Sequence, residues 1–174
     1  MSSTAAATNT ISAALIAELE NEGATTRKVL ERVPADKFDW KPHDKSMTFR
    51  QLASHVAEMH SWTVNTVKDP ELDFSKMEYK PFEPKTTEEL VQHFEKCYND
   101  AIEVLQNAPD EIWHEPWSLR NGEQVYFTMP KIVVMRSMVL NHITHHRGQL
   151  SVYLRLNDIP VPAMYGPSAD EGQM

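Results

Sequence analysis

His142 and His146, in the octapeptide HITHHRGQ that runs from His142 to Gln149, are the residues of this 174-residue chain whose type and spacing most directly allow chemistry. On an α-helix, side chains four residues apart share one face about a turn from each other. Two neutral imidazoles so placed can hold one divalent cation, and imidazole nitrogen suits Zn, Ni, Cu or Fe. Spacing alone leaves other readings open. The chain has 8 histidines, so close pairs also arise by chance. His142 with His145, at i,i+3, is a second chelating pair, and histidines on an apolar face also serve as hydrogen-bonded core residues. The peptidase pattern H-E-x-x-H is absent, because Ile143 stands where its general-base glutamate would be.

The elements that must position these residues are helical. Ile11, Leu15, Leu19, Val29 and Leu30 recur at helical spacing and predict helix one, ending before Pro34. Thr48 with Gln51 fits a capping box and opens helix two, whose stripe is Phe49, Leu52, Val56, Met59 and Thr63 and which ends at Lys68-Asp69-Pro70. A second capping box, Thr86 with Glu89, opens helix three. Leu90, Phe94, Cys97, Tyr98, Ile102 and Leu105 are its inner face, and Pro109 stops it. Pro130 suits the first turn of helix four, which runs to about Leu156 through Met135, Val139, His142, His146, Leu150 and Tyr153. Before it, Asn121-Gly122 between two short runs predicts a small β-hairpin with a type I′ turn.

Residues 34–46 read as an ordered loop anchored by Phe38 and Trp40, and the tail from Pro160 as irregular. Residues 69–86 carry three prolines and form a long connection, a length often tied to function. The expected fold is all-α, a four-helix bundle with a long crossover between helices two and three and a small β-hairpin before helix four. Residues 1–10, rich in Ser, Thr and Ala, are expected to be disordered, leaving 11–174 as one domain.

Composition narrows the function classes. Apolar residues make up 41% and charged residues 24%, ordinary globular values. The net charge of −8 with no Lys/Arg stripe lacks the electrostatic footprint of a nucleic-acid binder. Cys97 is the only cysteine, which excludes an intrachain disulfide and is compatible with a reducing compartment. Glu18 and Glu20 interrupt the first apolar stretch, so neither a signal peptide nor a membrane span is expected, and the chain is expected to be cytoplasmic.

A third ligand follows from the helix faces. His142 and His146 lie on the stripe of Met135, Val139 and Tyr153, and buried imidazoles need a hydrogen bond or a metal. His55 shares the helix-two stripe with Leu52, Val56 and Met59. Bundles build metal sites from facing helices, so His55, His142 and His146 make a candidate three-histidine site with a position open to water or substrate. His60 falls on a different face from His55, His43 lies in a loop, His93 is expected to be exposed on helix three, His114 precedes the hairpin, and His145 leans away from the stripe. Glu58, a turn after His55, and Gln149 are candidates for a base or for a partner of a ligand; Glu58 reads equally as a solvated helix carboxylate. Arg147 faces away from the ligand stripe and is expected in a salt bridge. Gly148 within a helix costs about 1 kcal/mol relative to Ala, for which close helix packing is the expected reason. The four tryptophans, Trp40, Trp62, Trp113 and Trp117, read as core or interface rather than pocket lining.

The segments LASHVAEMHSW and NHITHHRGQLSVYLR resemble the DinB-like family, also called YfiT-like, of metal-dependent proteins. The loop WKPHDKSMTFRQL and the closing IPVPAMYGPSADE are similar to the same family, so the likeness runs from about residue 11 to 171. It implies a four-helix bundle with a crossover, often a homodimer, and one divalent metal, nickel or zinc, on His55, His142 and His146. It also implies a small-molecule substrate: some members are thiol-dependent transferases or isomerases using a low-molecular-weight thiol, and others are regarded as hydrolases. No Ser-His-Asp order or reactive-cysteine motif offers a protein nucleophile, so a metal-bound nucleophile is expected. A non-catalytic metal- or ligand-binding stress-response protein is the alternative.

Overall fold

The computed structural model describes residues 10–172; of the disorder expected over 1–10, residues 1–9 lie outside them, and Thr10 is helical. Helix α1 (Thr10–Leu30) buries Leu15, Leu19, Val29 and Leu30. Its first N–H groups, which have no partner within the helix, donate to the Asp110 carboxylate: Thr10 at 2.7 Å and Ile11 at 3.1 Å. Helix α2 (Phe49–Glu58) opens on Thr48 with both arms of the capping box formed. Helix α4 (Thr87–Gln106) is capped by Thr86, which accepts from the Glu89 N–H; the Glu89 carboxylate accepts from Lys85 N instead of closing the box.

The second predicted helix is two. It stops at Glu58 and resumes as α3 (Ser61–Lys68), because Trp62 and Thr63 donate to carbonyls three residues back, a tighter turn than the α-helix makes. The fourth helix holds an unpredicted irregularity. Between α5 (Lys131–Val134) and α6 (Asn141–Leu156), residues Met135–Leu140 are π-helical, and the Asn141 N–H reaches back five residues to Arg136 O. Such wide turns cluster at functional sites, and this one ends two residues before His142.

Contacts between helices give the direction of each. Thr87 Oγ1 donates to Val33 O, Arg27 pairs with Glu95, and Ser12 Oγ donates to Ala108 O, so α1 and α4 are antiparallel. Arg136 pairs with Glu18 and Arg147 with Glu22, so the last helix runs parallel to α1. Arg50 donates to Pro84 O just ahead of α4, and His60 packs against Phe94 and Tyr98 further along, so α2–α3 and α4 run the same way. Parallel neighbours need a crossover, and residues 69–86 supply it. Its first part adds a strand, β1 (Glu71–Asp73), parallel to β2 (Pro116–Asn121), which pairs antiparallel with β3 (Gln124–Pro130). The expected hairpin is therefore one part of a three-stranded sheet. Its turn is Gly122-Glu123 and not Asn121-Gly122, since Asn121 pairs with Gln124. Positive φ at Gly122 but not at Glu123 is the type II′ pattern instead of I′. Among the described residues no helix is long and apolar enough to cross a membrane.

Arg147 is 1% exposed. It donates to Glu22 Oε2 at 2.5 Å and to Glu22 O and Thr26 Oγ1 at 3.0 Å. Tyr165, from the C-terminal segment, accepts from Arg147 and donates to Glu22 Oε2. The expected salt bridge is thus buried and ties α1, α6 and the tail together. Gly148 does not pack closely: a Cβ there would meet nothing within 4 Å. The close approach is at Gly23, where a Cβ would lie 2.5 Å from the Tyr98 ring.

Two predictions follow from these buried groups. Arg147→Ala strands the Glu22 carboxylate and should cost about 3–5 kcal/mol, with Arg147→Met combined with Glu22→Leu recovering most of it in urea unfolding; equal losses would place the cost in packing alone. His60 is fully buried beside Phe94 and Tyr98, with no partner for either ring nitrogen. Burial, and then the charge of Arg147, push it down to about 4. An unfolded imidazole titrates near about 6.5, so between these values only the unfolded chain takes up the proton. Stability is full above the upper value and falls with falling pH through the window. His60→Leu should remove on the order of 3 kcal/mol of that fall, and an unchanged acid limb in pH-dependent urea unfolding would refute it.

Candidate metal centre

His55 projects from α2, and His142 and His146 from α6. Each offers one nitrogen, and the three atoms lie within 4.8 Å of one another. His55 stands edge-on to both partners, with ring centroids 5.3 Å from His142 and 4.7 Å from His146. The antiparallel pairing of α2 and α6 brings them together; Tyr153 Oη donates to Met47 O at the far end of the same contact.

The hydrogen bonds around the two α6 histidines fix which atoms face inward. His142 Nδ1 lies 3.3 Å from Met138 O, an acceptor only, so Nδ1 carries the proton. His146 Nδ1 lies 2.7 Å from Gln149 Oε1, which likewise accepts. Each ring then presents an unprotonated Nε2, and the two Nε2 atoms face each other at 2.8 Å. Two lone pairs so close repel unless a cation stands between them. A proton is the poorer choice, because burial, outweighing the Gln149 hydrogen bond, pushes His146 down to about 4. Burial, and then the neighbouring His55, also hold His142 below the ordinary imidazole value. Both rings are therefore neutral near pH 7, the form that binds metal. Nitrogens at about 2.1 Å from a tetrahedral zinc stand about 3.4 Å apart, inside the 2.8–4.8 Å spread of this trio. A ligand histidine that donates its other N–H to a carbonyl is the usual arrangement at metal sites, and His142 and His146 both have it. The residues present fit a divalent metal.

Glu58 lies beside the trio. Its Oε1 is 3.6 Å from His55 Nδ1, too long for a hydrogen bond, and accepts from Tyr79 Oη at 2.6 Å. Glu58 is therefore not merely a solvated carboxylate. Two cavities flank this contact, of about 310 and 370 Å³, and both are lined by His55, Glu58 and Tyr79. Trp62 borders the larger cavity and packs edge-on to His142, with centroids 6.1 Å apart. Trp113 and Trp117 are core, and Trp40 and Trp62 pack against it, as expected; Trp62 lines the larger cavity as well.

The remaining histidines stay outside the cluster. His43, His114 and His145 are exposed. His93, expected to be exposed, is half-buried: its ring stacks on Phe82 at 4.0 Å, and Nε2 lies 3.7 Å from Cys97 Sγ. His60 faces the core. Sequence reasoning missed Tyr79, since a lone tyrosine in a proline-rich connection carries no spacing signal. It also missed the Met138 carbonyl, which no side-chain pattern reports.

A model of the DinB family matches residues 1–173. YrdA of Bacillus subtilis is 25% identical over 153 residues, covering 87% of this chain and 86% of its own length. YjoA of the same organism is 23% identical over 133 residues, covering 75% and 80%. Both are described as uncharacterized proteins, so neither supplies an activity. Among solved structures, a DinB-like protein of Bacillus cereus superposes with a TM-score of 0.68 at 19% identity, covering 87% of this chain and 95% of its own. The structure of YjoA gives 0.68 at 16%, covering 87% and 96%. At these identities the structural likeness shows the fold.

If Gln149 fixes the tautomer of His146, Gln149→Ala should weaken zinc or nickel binding about 10–100-fold while leaving the fold intact, as read by competition with a colorimetric chelator. Unchanged affinity would remove Gln149 from the site.

Proposed function

The chain belongs to the DinB family, and from that premise we propose that it is a metal-dependent enzyme that activates water or a low-molecular-weight thiol, as a hydrolase or a thiol-dependent transferase. The observation that carries this reading is the pair of Nε2 atoms of His142 and His146, face to face at 2.8 Å with His55 beside them. Three protein ligands leave a coordination position for a reacting atom. A divalent metal such as nickel or zinc on three neutral histidines keeps its full positive charge, lowers the pKa of a bound water or thiol and polarises a carbonyl.

The protein's own groups have distinct tasks around that position. Gln149 and the Met138 carbonyl hold the two α6 imidazoles in the ligating tautomer. Glu58 is the carboxylate nearest the trio and takes the proton that the nucleophile gives up; Tyr79 donates to the same oxygen and orients it. The Trp62 ring shields the edge of His142 from water. A covalent enzyme intermediate has no support. Cys97 is buried, burial holds its thiol above the ordinary value, and its nearest polar partner is His93 rather than the trio.

The test is turnover by zinc- and nickel-reconstituted protein on two model reactions: hydrolysis of 4-nitrophenyl acetate, and transfer of a small thiol to 1-chloro-2,4-dinitrobenzene. In the second, the S–H proton is released, an S–C bond forms and chloride leaves. Activity should exceed that of free metal, disappear with chelator, and fall at least about 100-fold in His146→Ala, the scale expected when an electrostatic catalyst is lost. Full metal loading with no turnover on either would contradict the enzyme reading and leave a metal-binding protein.

A further inference from the structure

The larger of the two cavities is unlike the smaller. Its walls are the Trp62 indole, Leu72 of β1, and Phe74 and Met77 of the crossover connection. Polar groups other than His55, Glu58 and Tyr79 are limited to Ser61 and Asn65. The smaller cavity carries Arg50, Gln51 and Glu83 instead. Tyr79 borders both, and its hydrogen bond to Glu58 places the ring as a partition between them.

Phe74 and Met77 are 41% and 42% exposed, unusual for large apolar side chains side by side on one connection. The connection does not leave them loose. Asp73 accepts from Gly122 N and Ser75 N, Arg120 pairs with Glu71, and the Phe74 ring leans on Tyr126 of β3 at 6.4 Å. The three-stranded sheet thus holds an apolar wall in the cavity that His55, of the three histidines, also lines. At about 370 Å³ the space is of small-molecule size. A mostly apolar hollow with a few polar groups, His55 and Glu58 among them, orients the ligand it takes.

We propose that this chamber binds the apolar body of the substrate, a single aromatic ring or a branched alkyl group, with the reacting atom directed to the His55 end and Tyr79 confining the body to the Trp62 side. The placement rests on the metal-site reading above; the existence of the chamber site does not. The preferred substrate is then one whose reactive carbon or sulfur carries a ring-sized apolar group, and small hydrophilic electrophiles are poor substrates.

The probe is 4-fluorobenzyl alcohol, followed by fluorine NMR line broadening in the metal-free protein and in the protein loaded with paramagnetic cobalt(II). Wild type should broaden the line saturably in both states. Met77→Glu and Phe74→Glu, each at a half-exposed position that leaves the core intact, put a carboxylate into the chamber and should weaken binding at least about tenfold. Glu83→Gln, in the other cavity, should leave it unchanged. Cobalt should add broadening that His146→Ala abolishes. No saturable broadening in wild type, or broadening indifferent to both chamber variants, overturns the proposal. Chamber-dependent broadening with cobalt bound but no paramagnetic contribution overturns the placement beside the trio. Failure of the chain to bind cobalt at all, with chamber-dependent broadening intact, contradicts the metal-site reading and supports the chamber.

Discussion

His142 and His146 turn their Nε2 lone pairs toward each other at 2.8 Å, and each has its one proton committed outward, to Met138 O and to Gln149 Oε1. That arrangement is repulsive without a positive charge between the rings, and burial makes a proton a poor source of that charge. The rest of the helical scaffold can be understood as what holds this constraint in place. The π-turn over Met135–Leu140 ends two residues before His142, antiparallel α2 presents His55, and Arg147, directly after His146, is locked to Glu22 on α1.

The last of these couplings links stability to the site. A buried ion pair is seldom favourable on balance, and its best-attested use is to specify one arrangement among several. Here it fixes the rotation of α6 about its own axis. If Arg147 must meet Glu22 and Thr26 on one side, His146 is aimed toward α2 on another. The same logic applies to the crossover. Parallel α2–α3 and α4 require a long connection, and the sheet that pins its first part also carries Leu72 and Phe74 into the cavity lined by His55 and Glu58. Function uses chain length that the topology already demanded.

Much of this was legible in the sequence. Helical periodicity and the two Thr caps gave the helices, and the i,i+4 pair with a third histidine on a facing stripe gave the trio, because both signals are local. The errors have a common physical source. The split at Met59–His60 and the π-turn leave the hydrophobic period nearly unchanged, so no pattern marks them. Strand β1 is three residues long and exists through its pairing with β2. The turn moved from Asn121-Gly122 to Gly122-Glu123 because strand register, not dipeptide preference, decided it. Gly148 was expected to permit a close helix contact that Gly23 makes instead, since a small residue reports an approach only when its neighbour is known. Tyr79 was invisible for the same reason: its role depends on a carboxylate 21 residues away.

The account stands on one claim, that the three histidines converge on a single divalent metal. Metal content by mass spectrometry on tag-free protein, before and after reconstitution with nickel and zinc, tests it most directly, with wild type beside His55→Ala. The account predicts close to one metal per chain in wild type and a large loss when the helix-two ligand alone is removed, since two histidines on one helix make a weak site. No metal in either protein after reconstitution, or equal loading in both, would contradict it and leave His55, His142 and His146 as histidines of the bundle wall.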